Sequence, residues 1–463
     1  MRSFVASLAA AMIAGGAVTG GVLYKFTPAV APQASANMTK LQQVYSVLQN
    51  QYYQPLEGDK LMEGAIDGLV KAADDPYTTY MNAAETKSFM ENISSSFEGI
   101  GAELKEEDGN IVVVSPIHGS PGEKAGVKPN DIFLEVNGEN LVGMKLTDAV
   151  TKIRGPKGTK AVLKIKRPGV ENPFELTIVR DTIPLETVFT EMRPDGIGII
   201  RISKESETTA AEFTKAFSSL KAQGAKGIVL DMRGNPGGLL DQAIKISSQF
   251  LPKGKLILQQ KYRDGSVQEA RSQGPGNDFP TVVLVDKGSA SAAEIISGAL
   301  RESAGIPLVG ETTYGKGLVQ TTTDLHDGSL LKYTSAQWLT PEGHQINKQG
   351  IKPDYEVKLP DYAELPYPMV EKEYKQGEQA VEIGTVQKML KALGYEPGRE
   401  DGLLDAKTGD ALKAFQQANK LEATGTLNPA TTAKAITLLQ EKIKANDTQM
   451  EKAIEVLKGR MAR

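Results

Sequence analysis

Ser291 and Lys316 stand twenty-five residues apart, each inside a glycine-marked turn: Gly-Ser-Ala-Ser291-Ala-Ala-Glu-Ile, then Gly-Glu-Thr-Thr-Tyr-Gly-Lys316-Gly. A serine hydroxyl is a weak nucleophile until a base takes its proton. Histidine, the usual base, is nearly absent: the chain has three, His118, His326 and His344, none in a recognisable nucleophile or acid motif. The spacing therefore predicts a serine hydrolase whose base is lysine, a known variant of triad chemistry. Lysine serves as a base only when neutral, so its pKa must fall several units from about 10.4. Lys316 lies between Gly315 and Gly317-Leu318-Val319, a small and apolar setting that permits desolvation. Gln320, four residues on, shares a face with Lys316 whether the segment is extended or helical. An uncharged amide can orient the lysine without holding it protonated, as a carboxylate would.

Acyl chemistry also needs donors aimed at the developing oxyanion. The apolar run 281–285 leads to Ser291, and a helix is expected to begin at Ala292, whose amide then sits at a helix N-terminus that favours negative charge. Gly237, in Asp231-Met232-Arg233-Gly234-Asn235-Pro236-Gly237-Gly238, follows the buried run 227–230 and supplies a second amide that can approach closely. Taken singly, Ser291 could merely cap a helix, Lys316 could be a solvated loop charge, Gln320 a surface amide and Gly237 a turn. In this order and spacing they read as one site. Ser289 is the local rival to Ser291, but it precedes the helix. The histidines read as structural or surface residues, and no side chains have metal-ligand spacing; no metal or other cofactor is expected.

These groups must be positioned by a modular chain. At roughly 150 residues per domain, 463 residues suggest about three domains. The balance of 53 basic against 57 acidic side chains gives no excess for tracking phosphates, which excludes nucleic acid as a partner. The absence of cysteine removes disulfides, thiolate metal sites and a cysteine nucleophile. Residues 4–24 carry no charge and lie between Arg2 and Lys25. That run exceeds a secretory core of about 7 to 15 residues and just reaches the ~20 that span a bilayer. Ala34-Ser35-Ala36 offers a cleavage site, so residues 1–36 read as a retained anchor or a cleaved signal. Either sends the rest of the chain out of the cytoplasm.

The expected architecture is multidomain α+β. Residues 37–92 read as a helical region with Leu41, Val44, Tyr45, Val47 and Leu48, then Leu61, Ala65, Ile66, Leu69 and Val70, near 3.6 spacing. It is either a homodimer contact or a plain scaffold, and carries a turn at Asp75-Pro76-Tyr77. Residues 93–183 change to short β runs around a helix at 146–153. Through Gly99-Ile100-Gly101-Ala102 and Ser120-Pro121-Gly122-Glu123-Lys124-Ala125-Gly126-Val127-Lys128-Pro129-Asn130-Asp131, this stretch resembles a PDZ domain, inserted before the core. The resemblance implies that the amides of Gly99, Ile100, Gly101 and Ala102 take a peptide carboxylate; a β module that only packs internally is the alternative. Arg154 is a candidate for coupling that module to the core. Residues 184–365 alternate apolar runs with helical patterns, as in an α/β protease core with strands buried on both faces, and part of the N-terminal region is a candidate to complete it. Residues 378–440, through Val386-Gln387-Lys388-Met389-Leu390, Asp401-Gly402, Phe415-Gln416 and Gly425-Thr426-Leu427, resemble a small all-α peptidoglycan-binding domain; the alternative is a three-helix spacer. The tail 441–463 reads as a charged helix with a solvated face.

Ser291 with Lys316 and Gln320, the Asn235-Pro236-Gly237-Gly238 loop, the Asp75-Pro76-Tyr77 turn and Leu339-Thr340-Pro341 together resemble the carboxyl-terminal processing proteases, over about residues 38–360. That resemblance implies Ser291 as nucleophile, Lys316 as general base, Gln320 as its orienter, and Gly237 with Ala292 as oxyanion amides. It implies a PDZ domain that recognises substrate C-termini and gates the site. The expected function is that of an exported, cell-wall-associated serine endopeptidase, with substrate proteins and peptidoglycan as partners. The rival is a non-catalytic PDZ and cell-wall-binding scaffold keeping a relic core, against which the intact Ser291, Lys316 and Gln320 weigh.

Overall fold

A strand apolar on both faces is stable only between two apolar layers. Three such strands, Ile197–Ile202, Gly227–Asp231 and Thr281–Val285, lie side by side and parallel. The computed structural model, which describes residues 32–94, 96–325 and 327–462, places them at the centre of a six-stranded sheet. Val188–Met192 closes one edge antiparallel, and Leu308–Gly310 and Tyr355–Glu356 extend the other. Alternate side chains sort to opposite faces. Ile200, Ile202, Ile228, Leu230, Val283 and Val285 pack with Phe213, Ile246 and Ile296 from the helices Thr209–Ala222, Leu240–Phe250 and Ala292–Ala304.

The other face, Ile197, Val229, Val282, Leu284 and Val309, is covered by Ala453, Ile454 and Leu457 of the last helix, Thr448–Met461. The tail is therefore not a solvated face. Its Lys and Glu residues conceal an apolar stripe at Met450, Ala453, Ile454, Leu457 and Met461, spaced as one helix face requires. Arg233, just before the glycine loop, reinforces the join by binding Asp447 through both terminal nitrogens at 2.9 Å.

A second sheet carries the lysine segment. Leu318–Asp324 pairs antiparallel with Leu330–Leu339, which also pairs with Leu256–Tyr262 and with Thr79–Met81. The N-terminal region is thus not wholly helical. Between its helices Gly58–Lys71 and Ala83–Ser94 it lends a three-residue strand to the core, too short to show a period in sequence. The helices Pro32–Gln51 and Gly58–Lys71 keep much of their apolar stripe in solvent, with Leu41 38%, Val44 51%, Val47 51% and Leu69 76% exposed.

The PDZ sheet runs Ala102–Glu107, Asn110–Pro116, Ile132–Val136, Lys160–Lys166 and Phe174–Val179, with the helix Leu146–Ile153 over its core. A ribbon of Ser96–Gly99 against Asp181–Pro184 ties its entry to its exit. In the C-terminal unit, the helices Val381–Ala392, Ala406–Ala418 and Pro429–Ala445 close around Met389, Leu390, Leu412 and Phe415. Buried Gln387 and Gln416 each clamp a glycine turn there, accepting from Gly402 and Gly425 at 2.9 Å. No helix of the described residues is long and apolar enough to cross a membrane; residues 4–24 lie outside them.

Leu457 is fully buried against the sheet. Leu457→Ala should lower the unfolding free energy by about 2–5 kcal/mol, measured as a shift in denaturant midpoint at unchanged slope; a solvated tail would show no shift.

Candidate active site

The strand Thr281–Val285 delivers Ser291 to the N-terminus of the helix Ala292–Ala304. Ser291 has φ 54° and ψ −114°, a backbone that costs of order 1–3 kcal/mol for a residue with a side chain and persists only where held. Glu294, one turn into the helix and fully buried, holds it. One carboxylate oxygen accepts the Ser291 and Lys316 amides, both at 2.8 Å; the other accepts the Gly315 amide at 2.8 Å and the Thr313 hydroxyl at 2.5 Å. Burial pushes this carboxyl above its ordinary range, against the pull of those four donors. The backbones of Ser291 and Lys316 are thereby hung from the same oxygen. The Ser-x-x-Glu spacing is a capping-box signature, so Glu294 was within reach of the sequence although its second task was not.

Lys316 stands two residues before the strand Leu318–Asp324, whose register shifts between Val319 and Gln320. Its carbonyl accepts the indole N–H of buried Trp338 at 2.9 Å, and its Nζ stands 4.8 Å from the Tyr77 ring centroid. Burial, then the like charge of Lys332, holds the ammonium below its usual range, with Glu294 and Asp75 opposing. Among the described residues no hydrogen bond joins Lys316 Nζ to Ser291 Oγ; the lysine rests on an aromatic face. Gln320 donates through Nε2 to Thr334 Oγ1 at 3.3 Å, which in turn donates to Asp75 Oδ2 at 2.6 Å.

Gly237, at φ 93°, comes so close to the nucleophile that a Cβ there would lie 2.6 Å from Ala290 O and 2.8 Å from Ser291 Cβ. The same imagined atom is 2.9 Å from the Ala292 nitrogen, so both expected oxyanion amides border Ser291. In this conformation the Gly237 N–H donates to Asn235 Oδ1 at 2.8 Å. Asn235 is fixed from behind, donating to Glu205 Oε1 at 2.8 Å and to Ile202 O at 3.1 Å. Glu205 is fully enclosed, and burial raises its carboxyl to about 7. Ser289 is no rival: it is buried, and its hydroxyl is spent on Met232 O at 2.8 Å and the Asp286 amide at 3.0 Å.

Along almost its whole length the chain is similar to an established protease: it is 50% identical over 432 residues, 93% of this chain and 92% of the other, to the carboxy-terminal processing protease CtpA of Bacillus subtilis (strain 168). The chain belongs to the carboxy-terminal processing proteases. It is 41% identical over 427 residues, 91% of this chain and 89% of the other, to CtpB of the same organism. A solved photosystem II D1 C-terminal processing protease is 29% identical, covers 71% of this chain and 90% of its own, and superposes with a TM-score of 0.41. Residues 196–357 match the peptidase family S41 model, 112–167 a PDZ domain, 379–434 a peptidoglycan binding domain, and 24–86 the N-terminal domain of the activating protease CtpB.

In this processing protease a groove of about 370 Å³ opens beside the PDZ edge strand, lined by Ile100, Gly101 and Ala102 on one side and Val150, Ile153 and Arg154 on the other. Gly99 lies behind it, against Phe97 and Arg154. Arg154 stacks on the Phe97 ring of the PDZ entry ribbon at 4.5 Å and reaches Glu91 of the helix Ala83–Ser94 at 3.6 Å, so it ties the PDZ module to the N-terminal region rather than to the core sheet. His118 and His344 are surface residues paired with Glu123 and Glu302, and His326 lies outside the described residues. Glu302, Glu342 and His344 converge within 4.8 Å, a proximity the spacing of their positions does not reveal. Asp75, Tyr77, Glu205, Glu294 and Thr334 were not singled out as site residues by the spacing of the motifs.

Two substitutions test the frame of the site. Glu294→Gln presents an amide NH2 to donors that need an acceptor, and should cost about 1–3 kcal/mol of stability. It should also slow labelling of Ser291 by a serine-reactive fluorophosphonate by about a hundredfold, as a displaced nucleophile does. Gly237→Ala should lower kcat by about 10²–10³-fold, the cost of losing one oxyanion donor. A parental kcat in that variant would remove Gly237 from the site.

Proposed function

We propose that this protease cleaves proteins near their C-termini by acyl-enzyme chemistry, with Ser291 as nucleophile, Lys316 as general base and Gln320 as its orienter. The observation that carries this reading is the single buried carboxylate, Glu294, from which the backbones of both Ser291 and Lys316 hang. Neutral Lys316 takes the Ser291 proton as Oγ attacks the scissile carbonyl. The tetrahedral oxyanion is met by the amides of Gly237 and Ala292. The lysine ammonium then returns its proton to the leaving amine, and water, deprotonated in the same way, releases the acyl group. For this, Lys316 Nζ leaves the Tyr77 ring for Ser291 Oγ, and the Gly237 N–H turns from Asn235 Oδ1 to the oxyanion.

The PDZ groove beside Ile100, Gly101 and Ala102 supports capture of the substrate's terminal carboxylate, with the peptide added as a strand to Ala102–Glu107. The peptidoglycan-binding domain and the kinship to CtpA support a place in the cell envelope. The uncharged run 4–24 supports export, as an anchor or a cleaved signal. The exposed apolar stripe at Leu41, Val44 and Val47 supports a homodimer through the N-terminal helices.

The test is cleavage of an unstructured protein ending in apolar residues. Ser291→Ala and Lys316→Ala should each lose at least about 10³-fold in kcat/KM; equal cleavage by all three would sink the assignment. Because the active lysine is the neutral one and burial lowers its pKa, kcat/KM should rise with pH and level off below the ordinary lysine value. A profile still climbing at the unperturbed value would point to a solvated lysine instead.

A further inference from the structure

The sequence presents Asp75 as a turn residue, yet its carboxylate ends a chain that begins at Gln320. Thr334 Oγ1 gives its only proton to Asp75 Oδ2 at 2.6 Å. It can therefore only accept from Gln320, which forces the NH2 end of that amide toward Thr334 and leaves Oε1 as the end that Thr334 does not engage. Asp75 is itself fixed by the Thr78 hydroxyl at 2.6 Å and the Tyr77 amide at 3.1 Å, while the Thr334 amide donates to Thr78 Oγ1 at 3.2 Å. Tyr77, two residues from Asp75, is the ring on which Lys316 rests. The turn is pinned in turn by the strand Thr79–Met81, with Thr79 opposite Lys332.

We propose that Asp75 and Thr334 are positioning residues of the Ser291 and Lys316 reaction, fixing which end of the Gln320 amide meets the lysine and placing one negative charge beside it. This rests on the lysine-base reading given above. Across the second sheet, a segment more than two hundred positions upstream of the nucleophile would then complete the base. The charged and titratable groups facing Lys316 are Lys332 from the neighbouring strand, Glu294 from the nucleophile helix, and Asp75 and Tyr77 from the turn. Burial and Lys332 favour the neutral lysine; Glu294 and Asp75 favour the ammonium. Burial pushes the Asp75 carboxyl up, but the hydrogen bonds from Thr334, Thr78 and the Tyr77 amide, with Lys316, outweigh it and keep the carboxyl ionised. Geometry and charge are therefore separable by substitution.

The full chain would be assayed on a quenched fluorescent peptide with a free, apolar C-terminus, across pH. Thr334→Val removes the relay hydroxyl and keeps the Asp75 charge. Its kcat should fall about tenfold, a fraction of the 10²–10⁴ that a positioned base supplies, with KM and the acid limb of the profile unmoved. Thr334→Ser should restore kcat. Asp75→Asn keeps an acceptor for the two hydroxyls and removes the charge, so the acid limb should move to lower pH by about half a unit, as expected of one partly screened charge. A parental kcat in Thr334→Val, or an acid limb in Asp75→Asn that stays or moves upward, would overturn the proposal. If Thr334→Val melts below the assay temperature, Thr334→Ser and Asp75→Asn decide it alone: a parental kcat in the first with a lowered limb in the second supports it, and either failing overturns it. Lys316→Ala run in parallel separates the two readings. Full activity there removes the lysine base itself, whereas an inactive Lys316→Ala beside a parental Thr334→Val removes only the relay.

Discussion

A carboxylate taken out of water must be met by donors, and Glu294 is met by four: two from the loop that carries Lys316, one from Thr313 and one from Ser291 itself. Everything near the reaction depends on that arrangement. It holds Ser291 at a positive φ that would otherwise relax, caps the helix that begins at Ala292, and sets the distance between two loops from different layers of the core. Because the group is buried, none of these tasks can be handed to water.

The sheet beneath explains why the loops start where they do. Parallel strands release their C-terminal ends on one edge, and both the glycine loop after Gly227–Asp231 and the Ser291 turn after Thr281–Val285 leave from that edge. Asn235 links the two, accepting from the Ala290 amide through its own carbonyl at 2.9 Å while its side chain engages Gly237. The glycine loop and the Ser291 turn are therefore tied to each other through one residue.

Much of this was legible because it is local. Unbroken apolar runs, an expected helix start and a glycine after a buried strand placed Ser291, Ala292 and Gly237 on their elements without any tertiary knowledge. Glu294 was equally local, a Ser-x-x-Glu box read only as the start of a helix. What could not be read was pairing across distance. Thr334 meets Asp75 only because a three-residue strand joins an edge contributed by a remote turn, and no period marks either partner. The last helix misled for a different reason: its charged residues are as many as those of the apolar stripe, and composition spoke louder than spacing.

That helix changes how the C-terminal unit, which matches a peptidoglycan binding domain, is attached. The core's final strand, Tyr355–Glu356, precedes the peptidoglycan-binding helices, and the cover for the core sheet, Thr448–Met461, follows them. The PDZ module likewise leaves and returns through one two-stranded ribbon. Both recognition modules are thus loops of the catalytic body rather than appendages to it. A tail can be lost to a single cut or a premature stop; a loop cannot be shed without breaking the body that bears it. The PDZ domain, the peptidoglycan-binding domain and the integrity of the central sheet are inherited together.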